Sequence, residues 1–234
     1  MKPTGGYEPP HPFVAIVLAR RGSKSVEEKN LREIGGTSMV SRAIHAGHLL
    51  EASEVYVSTD YRRSELMASH DFRYLRRPDS LCGDAVSSWE VIENVVESVD
   101  GIDWFLLLQP TSPLRPRGHG IRFLERAQWV RGVLSQEVFP VGRSPSKYGT
   151  VEGDRFIPFV NSCVKNSNRQ EAPYAYAPSG RFYLFDRTVV RKMARDESTP
   201  ITPVITPCFT TVDIDSLADL GCAMRLSSKF QSII

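Results

Sequence analysis

Four cationic side chains fall within eleven residues directly after the first apolar run of the chain, at residues 20–30 (RRGSKSVEEKN). The glycine and first serine of this segment suit a turn whose backbone N–H groups face a ligand, and the cations can pair with phosphate oxygens. The segment contains neither the GxxxxGK[ST] pattern of a P-loop nor the GxGxxG pattern of a dinucleotide-binding loop. It is therefore either an anion site of another kind or a solvated basic loop. Its candidate ligand residues are Arg20, Gly22, Ser23, Lys24, Lys29 and Asn30.

Two carboxylates near the other end of the chain, Asp213 and Asp215, flank a single isoleucine. In an extended segment, residues two apart point to the same side, so the two carboxylates would repel each other unless a cation lies between them. Mg²⁺ prefers such carboxylates together with phosphate oxygens. The second aspartate could instead cap the helix expected to begin near Leu217. On this pattern alone, both a metal site and a helix cap remain open.

Polar side chains also follow the apolar run at residues 105–108 (FLLL). Gln109 carries both a donor and an acceptor for a base or a sugar, although a solvated turn amide would look the same. Arg115 ends the same Pro-rich turn. A group of aromatic residues lies further along and either packs in the core or lines a sugar-sized pocket, because an aromatic face can contact the apolar side of a ring. These aromatic residues are Tyr174, Tyr176, Phe182 and Tyr183.

The elements that would position these residues alternate between apolar strands and amphipathic helices. Ser87 and Glu90 form a capping-box pattern before the clearest helix. Strands alternating with helices at this spacing are typical of a doubly wound, mostly parallel α/β sheet, in which ligands bind beyond the carboxyl ends of the strands. Strands are expected at 13–18, 54–59, 73–76, 105–108, 181–185 and 211–215, and helices at 38–50, 64–70, 87–99, 187–194 and from 217.

The helical periodicity is lost between about residues 134 and 180, where Pro, Tyr, Asn and Ser accumulate around short β-like runs. This segment is interpreted as a β-rich excursion inserted into a single domain over residues 13–234. Residues 1–12 (MKPTGGYEPPHP) are rich in Pro and Gly and lack the apolar region of a signal peptide, so we expect a flexible leader.

The composition narrows the function classes. With 234 residues and a net charge of only +2, the chain is not expected to bind a nucleic-acid backbone. The four cysteines are scattered and form no CxxC pair, which favours a reduced, cytoplasmic protein without structural zinc. His45 and His48 could form a metal pair on a helix, but a solvated helix face is favoured. No apolar run is long enough to span a membrane.

Taken together, these segments resemble the acylneuraminate cytidylyltransferases, also called CMP–sialic acid synthetases. Several motifs agree in order and spacing over roughly residues 13–226, which makes the resemblance more specific than any one motif. The matching segments are ARRGSKSVEEKN at 19–30, VSTD at 57–60, RPDSLCGDAVSS at 77–88, LLQPTSPLR at 107–115, RQ at 169–170, YAPSGRFY at 176–183 and VDID at 212–215.

This resemblance implies a nucleotide-diphospho-sugar transferase-like, Rossmann-like fold and a nucleotidyltransferase activity. The enzyme would transfer CMP from CTP to the anomeric hydroxyl of a sialic acid or related α-keto acid sugar and release pyrophosphate. The resemblance also implies Mg²⁺ as cofactor, CTP and an acidic sugar as substrates, and a homodimer in which the segment 134–180 reaches the partner's site.

The resemblance also assigns roles to individual residues. Arg20, Lys24 and Asp213 would be catalytic. Asp213 and Asp215 would hold the metal. The nucleotide would contact the loop residues named above and also Ser87, Ser88 and Gln109. The acceptor sugar would contact Gln109, Arg115, Arg169, Tyr176, Arg181 and Tyr183.

The chain departs from the family pattern at two places. In the loop, Arg21, Ser25 and Glu27 stand where the family has Gly, Gly and Pro. In the acceptor region, Ser179 and Arg181 stand where the family has Asn and Ala. These departures leave open an enzyme that activates a different acid, such as an octulosonic acid or a phosphonate. They also leave open a non-catalytic nucleotide-binding homologue.

Overall fold

The computed structural model describes residues 8–116, 118–141, 149–153, 155–158, 175–206 and 211–229. Arg169, the dipeptide at 169–170 and Tyr174 lie outside this range, as does most of the expected leader. The strands are β1 (Phe13–Ala19), β2 (Glu33–Ile34), β3 (Thr37–Ser38), β4 (Glu54–Thr59), β5 (Arg73–Arg76), β6 (Trp104–Leu107), β7 (Leu134–Val141), β8 (Gly149–Glu152), β9 (Arg155–Pro158), β10 (Ala175–Asp186) and β11 (Ile201–Ile205). The α-helices are α1 (Met39–Leu49), α2 (Ser88–Glu97), α3 (His119–Arg126), α4 (Arg187–Met193) and α5 (Leu217–Lys229).

A seven-stranded sheet in the order β11-β7-β10-β6-β1-β4-β5 forms the centre of the molecule. Strands β6, β1, β4 and β5 pair in parallel, and β11 pairs in parallel with β7. Strand β10 is antiparallel to both of its neighbours. The predicted doubly wound, mostly parallel α/β sheet is confirmed.

Strand β1 is buried on both faces, as its continuous apolar sequence predicts. Ala15 and Val17 pack in the core cluster that contains Ile44 of α1 and Phe123 of α3. The alternate residues of β1 pack on the opposite face against α2 and α4. Since the parallel strands β1, β4 and β6 run side by side, their carboxyl ends open onto one edge, where the polar segments of the sequence meet.

The predicted capping box starts α2. The Ser87 hydroxyl accepts a hydrogen bond from the Trp89 N–H at 3.0 Å, and the Glu90 carboxylate accepts one from the Ser87 N–H at 2.7 Å. These bonds satisfy backbone donors that the first helical turn leaves unpaired. The helix therefore begins at a fixed position on the rim of the carboxyl edge.

Two local expectations differ from the structure, and some elements, α3 and β11 among them, were not expected. Residues 64–70 contain only a 3-10 turn at Arg63–Glu65 instead of a helix. Residues 211–215 form no strand, and the Ile214 N–H instead donates to the Thr111 carbonyl at 2.8 Å. Strand β11 was not expected, because Pro203 inside it weakens the sequence signal. A proline is tolerated there because β11 lies at the edge of the sheet.

The segment predicted as a β-rich excursion joins the central sheet at both ends. Strand β7 begins at its start, and β10 returns antiparallel to β7 with an irregular register between Pro178 and Tyr183. Strands β8 and β9 form a separate two-stranded sheet. Residues 142–148 and 159–174 lie outside the described range, and the role of the segment in dimerisation stays a prediction.

Two expectations from the composition concern membrane-spanning segments and the cysteines. Among the described residues, no helix is long and apolar enough to cross a membrane. Cys82 and Cys222 are free thiols, whereas Cys163 and Cys208 fall outside the described part of the chain.

Candidate functional site

A cleft of about 1010 Å³, including its open mouth, lies at the carboxyl edge of the parallel strands. It is formed by the loop after β1, the segment between β5 and α2, the first turn of α2 and the turn after β6. The predicted nucleotide-binding residues that line it are Arg20, Ser23, Lys29, Asn30, Ser88 and Gln109. The structure thus brings together residues that lie up to 89 positions apart in the sequence.

Two cations of the loop after β1 share one counterion. The Asp84 carboxylate accepts a hydrogen bond from Arg20 Nη1 at 2.7 Å and lies 2.6 Å from Lys24 Nζ. Lys24 and then Arg20 hold the pKa of Asp84 below its usual range. The Lys24 side chain is 85% exposed, so an anion entering the cleft can reach its ammonium group.

Lys29 and Asn30 make different contacts and have different roles at the cleft. Lys29 Nζ donates to the Ile214 carbonyl at 2.8 Å and to the Asp215 carboxylate at 3.1 Å, which joins the loop after β1 to the Asp pair. Asn30 is buried, and its amide donates to the Arg20 carbonyl at 2.8 Å. The Asn30 side chain therefore holds the loop backbone in place while Lys29 keeps its charge at the cleft.

Gly22 supplies the conformation on which this loop depends. Its φ is +78°, in the left-handed region that strains residues with a side chain, and a Cβ there would meet no atom within 4 Å. The glycine is therefore required by the backbone and not by close packing. Neither Gly22 nor Lys24 lines the cleft directly.

Asp213 and Asp215 are exposed on either side of the fully buried Ile214. Ser112 Oγ donates to Asp213 Oδ1 at 3.2 Å, and Lys29 contacts Oδ1 of Asp215. The alternation places both carboxylates on the solvent side of the segment, as predicted. The start of α5 is capped by other residues, because the Asp219 carboxylate accepts from the Ser216 N–H at 2.8 Å.

This pair of carboxylates fits a hard divalent cation. Mg²⁺ is commonly held by one or two carboxylates and completes its shell with water and phosphate oxygens. Within the described ranges, no group of three or more His, Cys, Asp or Glu residues is arranged to hold a metal ion. An ion at Asp213 and Asp215 would thus need water or a bound phosphate as further ligands.

Gln109 and Ser112 are packed against β10 through Gly180. A Cβ built on Gly180 would lie 2.2 Å from Ser112 Oγ and 3.3 Å from Gln109 Oε1, and the φ of Gly180 is +75°. Only a glycine fits this contact without moving the turn after β6. The irregular part of β10 therefore sets the position of Gln109 at the cleft and of Ser112 beside Asp213.

Sequence reasoning left Arg77 and Asp84 outside the predicted site residues, although both line the cleft. Arg77 is 4% exposed, and its guanidinium donates to the Ser58 carbonyl at 3.0 Å. Burial lowers the pKa of Arg77. The RPDSLCGD motif contains both residues, so the signal was present, but spacing alone did not show that this segment folds over the cleft.

Ser87 and Ser88 have different roles in the structure. Ser88 lines the cleft, whereas the Ser87 hydroxyl caps α2. The predicted nucleotide contact of the serine pair is thus available to Ser88, and Ser87 has a structural partner.

Arg21, which stands where the family pattern has Gly, contacts different residues from those that Arg20 contacts. Its guanidinium pairs with Glu65 and lies 4.7 Å from the centre of the Tyr61 ring. Its backbone N–H donates to Asp60 Oδ1 at 2.6 Å. Arg21 therefore fastens the loop to the turn after β4, and it does not line the cleft.

Arg181 has a buried partner in place of the acceptor sugar that the sequence suggested. It is 1% exposed, and its guanidinium binds both carboxylate oxygens of Glu137, at 2.8 and 3.0 Å. The Ser179 hydroxyl donates to the same carboxylate at 2.5 Å. The two departures in the acceptor region, Ser179 and Arg181, thus form one buried network with Glu137.

The other predicted acceptor residues are dispersed. Arg115 is 4% exposed and lines a separate crevice instead of the cleft. Tyr183 is half-buried near Asp213, and burial, then that charge, raise the pKa of its hydroxyl. Tyr176 is 47% exposed on β10 beside Pro140. Among the predicted acceptor-binding residues that the structure describes, Gln109 lines the cleft.

The histidines of α1 are less solvated than expected. His45 Nδ1 lies 2.9 Å from His70 Nε2, and the ring of His48 stacks on that of His70 at 5.4 Å. They form a contact between α1 and the segment before β5. Among the described residues, no group of three or more His, Cys, Asp or Glu residues, these three histidines included, is arranged to hold a metal ion.

Known proteins are similar to this chain in sequence. The model of the family described as "Cytidylyltransferase" matches residues 14–115. The N-acylneuraminate cytidylyltransferase of Escherichia coli O18:K1:H7 is 34% identical over 226 residues, which cover 93% of this chain and 52% of that protein. The same-named protein of Streptococcus agalactiae serotype V is 26% identical over 182 residues, 74% of this chain and 43% of that protein. The chain spans about half the length of these relatives.

Another relative is matched over nearly its whole length. The CMP-N,N'-diacetyllegionaminic acid synthase of Legionella pneumophila is 26% identical over 243 residues, which cover 95% of this chain and 99% of that protein.

Solved structures share the fold. A CMP:2-keto-3-deoxy-manno-octonic acid synthetase complexed with CTP superposes with a TM-score of 0.70 at 18% identity, covering 93% of this chain and 99% of that chain. The 4-diphosphocytidyl-2C-methyl-D-erythritol synthase of Anaerococcus prevotii has a TM-score of 0.61 at 12% identity, covering 93% and 99%. The fold is that of the nucleotide-sugar transferase-like α/β proteins. In sequence, the chain is thus similar to cytidylyltransferases: the family model matches residues 14–115, and the N-acylneuraminate cytidylyltransferase of Escherichia coli aligns with 93% of the chain.

Proposed function

We propose that the chain is a nucleotidyltransferase that transfers CMP from CTP to the anomeric hydroxyl of a sialic acid or related α-keto acid sugar. The observation that carries this proposal is the cleft at the carboxyl edge, which Arg20, Lys29 and Gln109 line together and where Lys29 contacts Asp215 of the Asp pair. A triphosphate needs concentrated positive charge, and a base or sugar needs the paired donor and acceptor of an amide.

In this reaction the sugar hydroxyl attacks the α-phosphorus of CTP. The bond to the β-phosphate oxygen breaks, pyrophosphate leaves, and the hydroxyl proton is released. Such transfer depends mainly on positioning and on the stabilisation of phosphoryl charge. Arg20 and Lys24 would hold the triphosphate after exchanging Asp84 for phosphate oxygens. Gln109, fixed by Gly180, would orient the nucleotide.

We propose that Asp213 and Asp215 hold Mg²⁺. The ion would neutralise charge on the transferred phosphate and on the leaving pyrophosphate. Lys29 would act from the same side, because its ammonium lies 3.1 Å from Asp215. Tyr183 would keep its proton in this setting, since burial and the Asp213 charge both raise its pKa.

The proposal is tested by incubating the purified chain with CTP, Mg²⁺ and a panel of acids, and by measuring the release of pyrophosphate. The panel contains N-acetylneuraminic, legionaminic, pseudaminic and octulosonic acids and a phosphonate. Release with a nine-carbon α-keto acid supports the proposal. Release with only the octulosonic acid or the phosphonate would replace it by activation of that acid. Binding of CTP without release under any condition would indicate a non-catalytic homologue.

The metal assignment has its own test. We expect Asp213→Asn to lower the rate of pyrophosphate release by at least about 100-fold, because the ion loses a carboxylate where phosphoryl charge develops. Asp100→Asn, an exposed aspartate next to the end of α2, serves as the matched control and should keep the rate. An unchanged rate in Asp213→Asn would overturn the assignment, provided that circular dichroism shows the variant folded.

We also propose a cytoplasmic homodimer. The hairpin β8–β9 exposes apolar side chains that a second copy could cover, with Val151 70% and Phe156 59% exposed. The free thiols of Cys82 and Cys222 suit a reducing compartment. Light scattering after size-exclusion chromatography should give twice the 26.2 kDa of the chain, and Phe156→Asp should shift it toward the monomer. A monomeric wild type would contradict the dimer.

A further inference from the structure

A second, mostly apolar crevice lies between α1 and α3, apart from the cleft. Leu49 and Leu50 line it from the end of α1, Gly120 and Ile121 from α3, and Phe182 from β10. Its volume is about 410 Å³ including the open mouth. Of the described residues that line it, Arg115 alone carries a charge.

Arg115 is unusual because it is a buried cation with unused donors. It is 4% exposed, and Nη2 donates to the Gln109 carbonyl at 2.6 Å. Its Nε and Nη1 atoms are buried and have no hydrogen-bond partner among the described residues. A buried donor without a partner costs free energy comparable to a lost hydrogen bond, and more when the group is charged.

The carboxylate of Glu137, whose charge acts on Arg115, is bound by other residues. Glu137 is hydrogen-bonded through both oxygens to Arg181 and also accepts from Ser179. Burial, then the Arg181 charge, lower the pKa of Arg115 to about 9. Arg115 therefore remains protonated at neutral pH and lacks a counterion of its own in the part of the chain that the structure describes.

We propose that the crevice binds a short-chain monocarboxylate, whose carboxylate accepts from Arg115 while its apolar chain lies against α1 and α3. One guanidinium matches a single negative charge, whereas a phosphate dianion would need more donors than these apolar walls provide. The apolar lining favours an aliphatic chain over a sugar. This site is separate from the proposed CTP site and does not depend on it.

Binding of a carboxylate in the crevice would affect the nucleotide cleft through the hydrogen bond between Arg115 and Gln109. The same guanidinium that would bind the carboxylate holds the Gln109 carbonyl, and the Gln109 side chain lines the cleft. A carboxylate that fixes Arg115 would therefore also fix the backbone of Gln109.

Butyrate serves as the probe, and isothermal titration calorimetry on the full chain without nucleotide serves as the measurement. We expect saturable binding of butyrate and at least about tenfold weaker binding of butyramide, because the amide lacks the charge that Arg115 pairs with. Potassium chloride at the same ionic strength controls for salt. Asp213→Asn should bind butyrate like the wild type, which separates this site from the cleft.

Two variants locate the site. Arg115→Met should weaken butyrate binding at least about tenfold through loss of a charged hydrogen bond. Ile121→Trp should block the mouth of the crevice while keeping Arg115, and it decides the matter if Arg115→Met does not fold by circular dichroism. Equal binding of butyrate and butyramide would overturn the proposal. So would the absence of saturable binding to the wild type, or wild-type affinity in either folded variant.

Discussion

Asp84 is the shared counterion of Arg20 and Lys24, the two cations that would bind the triphosphate. Its carboxylate lies 2.7 Å from Arg20 and 2.6 Å from Lys24. If the proposed function holds, an incoming nucleotide would have to exchange this carboxylate for phosphate oxygens in a cleft that Asp84 makes more negative. Asp84 would then weaken the binding of CTP, although it orders the loop after β1.

At this scale, we expect Asp84→Asn to lower the KM for CTP about two- to fivefold at low salt, since the competing charge is removed from a partly screened site. The effect should shrink as ionic strength rises, because all three side chains are substantially exposed. Steady-state pyrophosphate release at two salt concentrations measures it. A raised KM would mean that Asp84 instead positions the two cations for the nucleotide.

At the scale of elements, a buried ion pair joins β7 to β10. Arg181 and Glu137 are 1% and 2% exposed, and Ser179 completes the network. Next to it along β10 lies Gly180, whose close contact sets Ser112 and Gln109. The pair therefore holds the irregular part of β10 against the turn after β6.

We expect Glu137→Gln to lower the free energy of unfolding by about 3–5 kcal/mol, because it leaves the Arg181 charge buried without its partner. Urea unfolding measures this change. Glu54→Gln breaks the exposed pair with Arg73 and serves as the control, with little expected effect. Similar losses in both variants would show that burial of the first pair is not the cause.

Helix α1 and the segment before β5 meet through three histidines. Burial, then the nearby His70 and His48, and last Arg42, lower the pKa of His45. As the pH falls, the unfolded chain therefore takes up this proton before the folded chain does. The stability is complete above the ordinary histidine pKa of about 6.5 and declines below it.

Accordingly, the wild type should be less stable at about pH 5.5 than at about pH 7.5, and His45→Gln should reduce this difference. The reduction should be less than about 1 kcal/mol, because solvent screens the half-buried ring. Urea unfolding at both pH values measures it, with the exposed His11→Gln as control. An identical pH dependence in His45→Gln and the wild type would exclude His45 as the source.

At the scale of the whole molecule, one apolar cluster supports both halves of the proposed site. It joins Val26 of the loop after β1, Ile214 between the two aspartates, and Leu220 of α5. Val26 and Ile214 are 1% and 0% exposed. The loop after β1 and the carboxylate pair are therefore held by the same packing, although they lie at opposite ends of the chain.

We expect Ile214→Ala to lower the free energy of unfolding by about 2–5 kcal/mol through the cavity it leaves. It should also raise the Mg²⁺ concentration needed for half-maximal activity, because the two carboxylates lose their support. Ile44→Ala, equally buried in the cluster around α1, is the control. It should lose comparable stability at an unchanged Mg²⁺ requirement. If both variants shift that requirement equally, the cluster has no special link to the metal site.

Much of the fold followed from local patterns. Apolar runs such as that of β1 predict buried strands, because only a strand covered on both faces needs no polar alternation. The capping box of Ser87 and Glu90 predicted the start of α2 for a similarly local reason. Strand β11 was missed, since the edge position that tolerates Pro203 is not visible in sequence.

The sequence by itself determined which segments lie at strand ends and turns and so form the candidate site, because strand ends and turns are set by residues close together in the chain. Only the tertiary structure decided what each side chain contacts. Arg20 meets Asp84 across 64 positions, and Lys29 meets Asp215 across 186. Other contacts between residues distant in the chain bury Arg181 against Glu137 and place Arg115 at the crevice. The physical reason is that a cation binds whichever carboxylate or carbonyl the completed fold brings within reach, and its spacing along the chain does not specify that partner.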